Sequence, residues 1–259
     1  MIISKIQGGL GNQMFQYAFG RHLSYKNDVG FYLDKSFYNV QGSVIRHFSL
    51  DKFNNTYCYF NIEPVNNKPI YKIDDNFVYR DFPISNQSHY YLDGYWQSEK
   101  YFKESEDLIR KDFTPTESIL NKINKTPLLD TNTISIHIRR TDYVSSNGYH
   151  PVQSIKYYQD AIDCIGDYDN LFVFSDDVKW CSDNLKFNNM VFMEGFDDIE
   201  DLFIMSMCKH NVIANSSFSW WGAWLNNNPD KKVVAPANWF GQQANLNESD
   251  IIPEKWIKI

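Results

Sequence analysis

The chain has 259 residues, enough for one large domain or two smaller ones, each with its own core. Its net charge of -7 and pI near 5.3 exclude the basic face of a nucleic-acid-binding scaffold. Cys58, Cys164, Cys181 and Cys208 show neither CxxC spacing nor a paired-His pattern, which excludes a zinc site or disulfide framework and predicts a reduced, cytoplasmic protein.

The chain runs from Met1 straight into a strand, with no charged and apolar leader of the signal-peptide kind. No stretch approaches the roughly 18 apolar residues of a membrane span, so any membrane contact is expected to be peripheral. Ile2 to Gln7 reads as a first strand, and a turn follows at Gly8-Gly9-Leu10-Gly11-Asn12. A helix is predicted from Gln13 to Tyr25, then a second strand from Val29 to Leu33, ending at Asp34. A glycine turn with an acid after the second strand imitates a dinucleotide-binding unit. The fingerprint fails at its third position, where Met14 replaces the small residue needed for close helix–strand packing. The turn is still a place where backbone amides can meet an anion or hydroxyls.

Between residues 35 and 95 the pattern is weak, broken by Pro64, Pro69 and Pro83, and predicts no order of elements. A helix is expected from Glu99 to Lys111 and a short one ending near Lys125. The polar, proline-containing stretch from Lys125 to Thr133 reads as a linker, dividing the chain into 1–126 and 127–259.

Beyond the linker, strands at Ile134–Ile138, Leu171–Ser175, Met190–Met193, Val212–Ala214 and Lys232–Ala235 alternate with helical stretches near 154–165, 177–186, 198–209 and 217–227. This alternation predicts a parallel sheet with crossover helices, whose ligands sit outside the carboxyl ends of the strands. Three polar groups fall at those ends: Arg139 to Asp142, Ser175-Asp176-Asp177, and Asn215-Ser216-Ser217-Phe218-Ser219.

In the first group, alternation puts His137 and Arg139 on one face of the strand and Ile136 and Ile138 on the other. Arginine matches phosphate with a two-pronged fork, although Arg139 and Arg140 could equally pair with Asp142 and other carboxylates. The third group reads as helix caps and, together with free helix amides, as an anion site. An arginine pair and a capped helix start on one sheet edge favour a diphosphate. Asp167-Tyr168-Asp169 fits a metal-using DxD pattern but precedes a strand, and Asp176-Asp177 lacks a third ligand, so no metal is expected.

Four blocks, Gly8 to Ala18, His137 to Tyr143, Phe174 to Asp177 and Asn215 to Trp224, resemble bacterial α-1,2-fucosyltransferases in order and spacing. The HxRRxD block is shared with α-1,6- and protein O-fucosyltransferases; the first and last blocks point to the α-1,2 group. The resemblance implies an α/β, GT-B-like fold of two Rossmann-like halves with parallel sheets facing a central cleft. It implies GDP-fucose as a substrate, with no cofactor and no metal, and transfer with inversion to the 2-hydroxyl of a galactose-terminated glycan. The implied donor-binding set is Gly9, Gly11, Asn12, His137, Arg139, Arg140, Asp176, Asn215, Ser216, Ser217, Phe218 and Ser219. In this mapping Arg139 holds the β-phosphate, His137 lies near the nucleoside and Asn12 reaches the fucose and phosphate.

Tyr95 and Trp96, flat rings of the kind that suit sugar faces, are the expected acceptor contacts. In related enzymes an acid in the element before the last block reads guanine, and the corresponding position here falls on Cys208. Where α-1,6-fucosyltransferases carry a glutamate after HxRRxD, this chain has Asn147, which leaves Asp142 as the expected catalytic base beside Arg139, with His150 the nearest imidazole. The alternatives are a non-catalytic sugar-nucleotide or glycan-binding protein, and a metal-dependent transferase using Asp176 and Asp177.

Overall fold

A computed structural model describes residues 1–39, 45–56, 70–74, 77–82, 84–85, 89–126, 131–146 and 148–259. Pro64, Pro69, Pro83 and Asn147 lie outside them. The chain divides into two compact units, Met1–Thr116 with Ser249–Pro253, and Glu117–Glu248 with Glu254–Ile259.

The first unit is built on a parallel sheet of β1 (Ile2–Lys5), β2 (Phe31–Asp34), β3 (Ile70–Asp74) and β4 (His89–Asp93), in the order β2-β1-β4-β3. Helix α1, Leu10–Asn27, joins β1 to β2 and begins three residues before the expected start, with extended Gly9 as its N-cap. It is buried on nearly every side, glutamines 13 and 16 included, so it fills a core and does not merely cover one. Close approach to the sheet is made at Gly20, where a Cβ would strike the Phe31 ring; this small residue lies beyond the position where a dinucleotide fingerprint would place it.

The expected helix Glu99–Lys111 is broken into two 3-10 turns, Glu99–Tyr101 and Lys103–Ser105, followed by α2, Glu106–Asp112. The Ser98 hydroxyl accepts from the Lys100 amide and closes the first turn, and Phe102 at φ -141 interrupts the spiral.

In the second unit the observed elements are α3 (Glu117–Ile123), β5 (Thr133–Ile138), α4 (Thr141–Ser145), α5 (Ile155–Ile165), β6 (Asn170–Ser175), α6 (Val178–Asn184) and β7 (Met190–Phe192). They continue with α7 (Asp198–Met207), β8 (His210–Val212), α8 (Ser217–Leu225), β9 (Val233–Ala235) and β10 (Ile257–Lys258). The division between units falls at 116/117 and not at the expected 126/127, because α3 packs on α7 and Lys122 Nζ donates to Glu200 at 2.6 Å.

All six strands are parallel, in the order β7-β6-β5-β8-β9-β10. This is the doubly wound order, with its reversal point between β5 and β8. Ile134, Ile136 and Ile138 pack under α5 with Tyr157, Tyr158 and Ile162. On the opposite face, Asn211 Nδ2 donates to Ser135 Oγ and to the Met205 carbonyl of α7, and a Cβ on Gly222 of α8 would meet Met205. Helices thus cover both faces, as right-handed crossovers on either side of β5 require. Among the described residues, no helix is long and apolar enough to cross a membrane.

Candidate active site

The candidate site lies at the reversal point. β5 is buried along its whole length and delivers His137 and Arg139 to its carboxyl end. Arg139 Nη2 donates to Asp142 Oδ1 at 2.7 Å, and Nη1 lies 3.2 Å from Asp176 Oδ2. Both contacts hold the planar fork by its edges, the pre-orientation that bidentate recognition of a phosphate needs.

Asp176 also accepts from the amides of Arg140 at 2.9 Å and Thr141 at 3.2 Å, so it organises the start of α4. Asp177 caps α6 by accepting from the Trp180 amide at 3.1 Å and takes the Arg140 Nε at 3.1 Å. Arg140 thereby turns toward α6, with its guanidinium 3.7 Å from the centre of the Trp180 ring. Its carboxylate partner is Asp177, whereas Asp142 serves Arg139.

The end of β8 supplies the other wall. Asn215 is buried, with Nδ2 donating to the Trp239 carbonyl at 2.9 Å and Oδ1 accepting from Gln153 at 3.1 Å. Its own carbonyl accepts from the Tyr143 hydroxyl at 3.0 Å, which ties the loop after β5 to the loop after β8. With its amide committed in this way, Asn215 fixes the loop. Ser216 is the N-cap of α8, yet its side chain makes no capping bond. Ser219 Oγ donates to the Ser216 carbonyl at 3.3 Å.

Phe218 meets the His137 ring edge to face at 5.7 Å. Burial, helped by the nearby Arg139 charge, pushes the His137 pKa down to about 3, so the ring is neutral. Its Nδ1 is buried and meets no partner among the described residues. His150, the other imidazole considered, is stacked on Tyr143 at 4.8 Å and packed against Phe240, and burial lowers its pKa.

Cys208 is not in this region. It follows α7 and precedes β8, so it sits at the amino edge of the sheet, where its buried thiol donates to the Ile204 carbonyl. Of the three acids in the first turn of α7, at the carboxyl edge, Asp201 is distinct. Burial, reinforced by Asp197, Glu200 and Asp198, pushes its carboxyl pKa up to about 7, and Oδ1 is buried without a partner among the described residues. The sequence carried the signal as an acid run, Asp197, Asp198, Glu200 and Asp201, of which the helical register buries one unpaired carboxyl.

In the first unit, Gly8 at φ 80 makes the turn that Gly9, Gly11 and Asn12 follow, and Asn12 Oδ1 accepts from Gln97 Nε2 at 2.8 Å. Tyr95 is half-buried and stacked on Phe77. Trp96 is fully buried, its ring enclosed by Phe19, Phe82 and Tyr101, so it belongs to the core and offers no face to an acceptor.

The chain matches the model of Glycosyl transferase family 11 over residues 60–259. The protein belongs to glycosyl transferase family 11. This agrees with the resemblance carried by the four sequence blocks. Among curated proteins, the alpha-1,2-colitosyltransferase of Escherichia coli is 36% identical, covering 100% of this chain and 99% of that one. The O-antigen biosynthesis glycosyltransferase WbnK of Escherichia coli is 31% identical, covering 99% of each. Among solved structures, the NodZ alpha-1,6-fucosyltransferase soaked with GDP-fucose superposes with a TM-score of 0.53 at 13% identity, over 86% of this chain and 91% of that one. The fucosyltransferase NodZ from Bradyrhizobium gives 0.51 at 12% identity, over 85% and 91%. This family 11 glycosyltransferase therefore has the α/β, GT-B-like fold with parallel sheets.

Proposed function

We propose that this enzyme transfers L-fucose, or its 3-deoxy analogue colitose, from a GDP-sugar to the 2-hydroxyl of a galactoside with inversion, in building a surface polysaccharide. The observation that carries this reading is that the Arg139 fork follows β5 and the first turn of α8 follows β8, the adjacent strands at the reversal point of a doubly wound sheet. The colitosyltransferase relative at 36% identity supports the deoxy-sugar donor.

The chemistry follows from the residues. As the bond from the sugar C1 to the β-phosphate oxygen breaks, negative charge grows on the departing GDP. Arg139, the α8 amides and the Ser216 and Ser217 hydroxyls would supply donors to that charge, while Ser219, its hydroxyl given to the Ser216 carbonyl, supports the turn. The acceptor oxygen bonds C1 from the opposite face, and its proton passes to Asp142, the carboxylate held on Arg139. Asp201 reads the guanine, its carboxylate accepting from N1–H and the 2-amino group, a role that the thiol of Cys208, at the position matching the family's acid, does not offer. Asp176 and Asp177 are committed to Arg139, Arg140, Thr141 and the α6 cap, which favours arginine over metal for charge neutralisation. Cytoplasmic location, resting on cysteine spacing, is part of the same reading.

The test is a panel of β-galactosides offered with GDP-fucose and with GDP-colitose, with and without EDTA, and the product linkage read by NMR. Transfer to the galactose 2-hydroxyl that survives EDTA supports the proposal. GDP binding without transfer to any acceptor would leave a sugar-nucleotide-binding protein, and loss of transfer in EDTA a metal-dependent transferase.

A further inference from the structure

A second polar cluster lies wholly within the first unit, at the start of α1. Gly9 caps this helix with extended backbone and, being a glycine, brings no side-chain cap to the first turn. Gln97 is directed at this turn: its Nε2 donates to Asn12 Oδ1 at 2.8 Å. The glutamine is only 8% exposed, and its Oε1 is buried without a donor among the described residues.

The direction of Gln97 is not accidental. The preceding Trp96 adopts φ 54, a left-handed conformation that a bulky residue rarely takes. Its ring is locked 4.7 Å from Phe19 and 5.4 Å from Tyr101, so the aromatic cage fixes the kink and the kink fixes the glutamine. Strain of this kind collects at ligand clamps. A glutamine with a purely structural role has no reason to keep a buried carbonyl oxygen unsatisfied.

The chemistry of the cluster narrows the ligand. Gln97 Oε1 can only accept, whereas the α1 amides can only donate. A phosphate, which only accepts, leaves Oε1 unmet. A hydroxyl answers both, donating to Oε1 and accepting from an amide. We propose that Gln97 is a sugar-hydroxyl-binding residue, its Oε1 taking the hydroxyl proton while the first turn of α1 donates to the hydroxyl oxygen. The proposal rests on the sugar-transfer reading above, and the hydroxyl belongs to either the donor sugar or the acceptor.

Calorimetric titration of wild type, Gln97→Ala and the near-isosteric Gln97→Glu with GDP, GDP-fucose and a β-galactoside separates these sources. GDP affinity is expected to fall much less than that of the affected sugar, because Arg139 and the start of α8, assigned to the diphosphate, belong to the second unit. Loss of a hydrogen bond to a sugar hydroxyl is expected to weaken one sugar ligand about tenfold or more. A fall for GDP-fucose alone assigns the donor sugar, and a fall for the β-galactoside assigns the acceptor. Deoxy analogues of the affected sugar should lose affinity in wild type and lose nothing further in Gln97→Ala. Unchanged affinity for both sugars in folded variants, or no sugar binding by wild type, overturns the proposal. Failure of the transfer reading shows up separately, as wild type that binds these ligands and turns none over.

Discussion

Arg139 Nη1 lies 3.2 Å from Asp176 Oδ2, which joins the carboxyl ends of two neighbouring strands. The contact follows from register: Ile138 of β5 pairs with Ser175 of β6, so the residues just past each strand stand side by side. The Arg139 fork is therefore oriented by the sheet, with Asp142 completing its support.

Arg139→Lys is expected to lose roughly 10²–10³ in kcat, since a lysine keeps the charge but not the fork. The variant should remain folded by circular dichroism. Activity within a few-fold of wild type removes Arg139 from the phosphate role.

For the base, Asp142→Asn is expected to lower kcat by at least about 10² while GDP affinity falls far less. His150→Ala should mainly lower the melting temperature, because its ring is packed between Tyr143 and Phe240. A loss in Asp142→Asn that only tracks GDP affinity would reduce Asp142 to an orienter of Arg139.

Ser216 separates capping from binding at the α8 start. A working cap costs about 0.5–2 kcal/mol when removed, and Ser216 makes no capping bond, so Ser216→Ala should fall below that range. GDP affinity is expected to drop. A lower unfolding free energy with unchanged GDP affinity would show that the hydroxyl serves the helix.

Asp201 gives a pH signature. Its folded pKa is raised from 3.8 to about 7, so its stabilising contribution is full below pH 3.8 and is lost as pH rises through about 7. His137, lowered from 6.5 to about 3, has the opposite sign: stability present above 6.5 is lost as pH falls toward 3. Asp201→Asn should therefore flatten the stability profile on the alkaline side and raise stability at pH 8. The guanine contact proposed for Asp201 uses the carboxylate, so wild-type GDP affinity should weaken below about pH 7, and the variant should lose its preference for GDP over IDP. Equal stability profiles in denaturation across this range would sink the assignment.

The second unit was the more legible half, and the reason is physical. β5 to β9 are short apolar runs bounded by polar ends, and in a doubly wound sheet those ends are the site, so period and position coincide. β10 escaped because two residues carry no periodic signal. In the first unit, α1 is buried on nearly all sides, so its pattern marks existence better than limits, and the helix began earlier than the polar turn suggested. Trp96 looked like a sugar platform because a ring's identity does not reveal its burial; the left-handed kink that hides it is a backbone property. Asp201, the guanine contact proposed above, did not stand out for the same kind of reason, since only the folded helix shows which of Asp197, Asp198, Glu200 and Asp201 keeps a buried oxygen without a partner among the described residues.

The return of Ser249–Pro253 to the first unit has a consequence for synthesis. Asp250 accepts from the Tyr79 amide at 2.8 Å and pairs with Lys100 at 2.6 Å, so contacts of the first unit wait for residues made after β5 to β9. A growing chain can assemble β5 to β9 while the earlier-made half still lacks its clasp, which inverts the usual order in which amino-terminal domains finish first on the ribosome. Deleting only the last eleven residues should then remove a strand from one unit and unlatch the other.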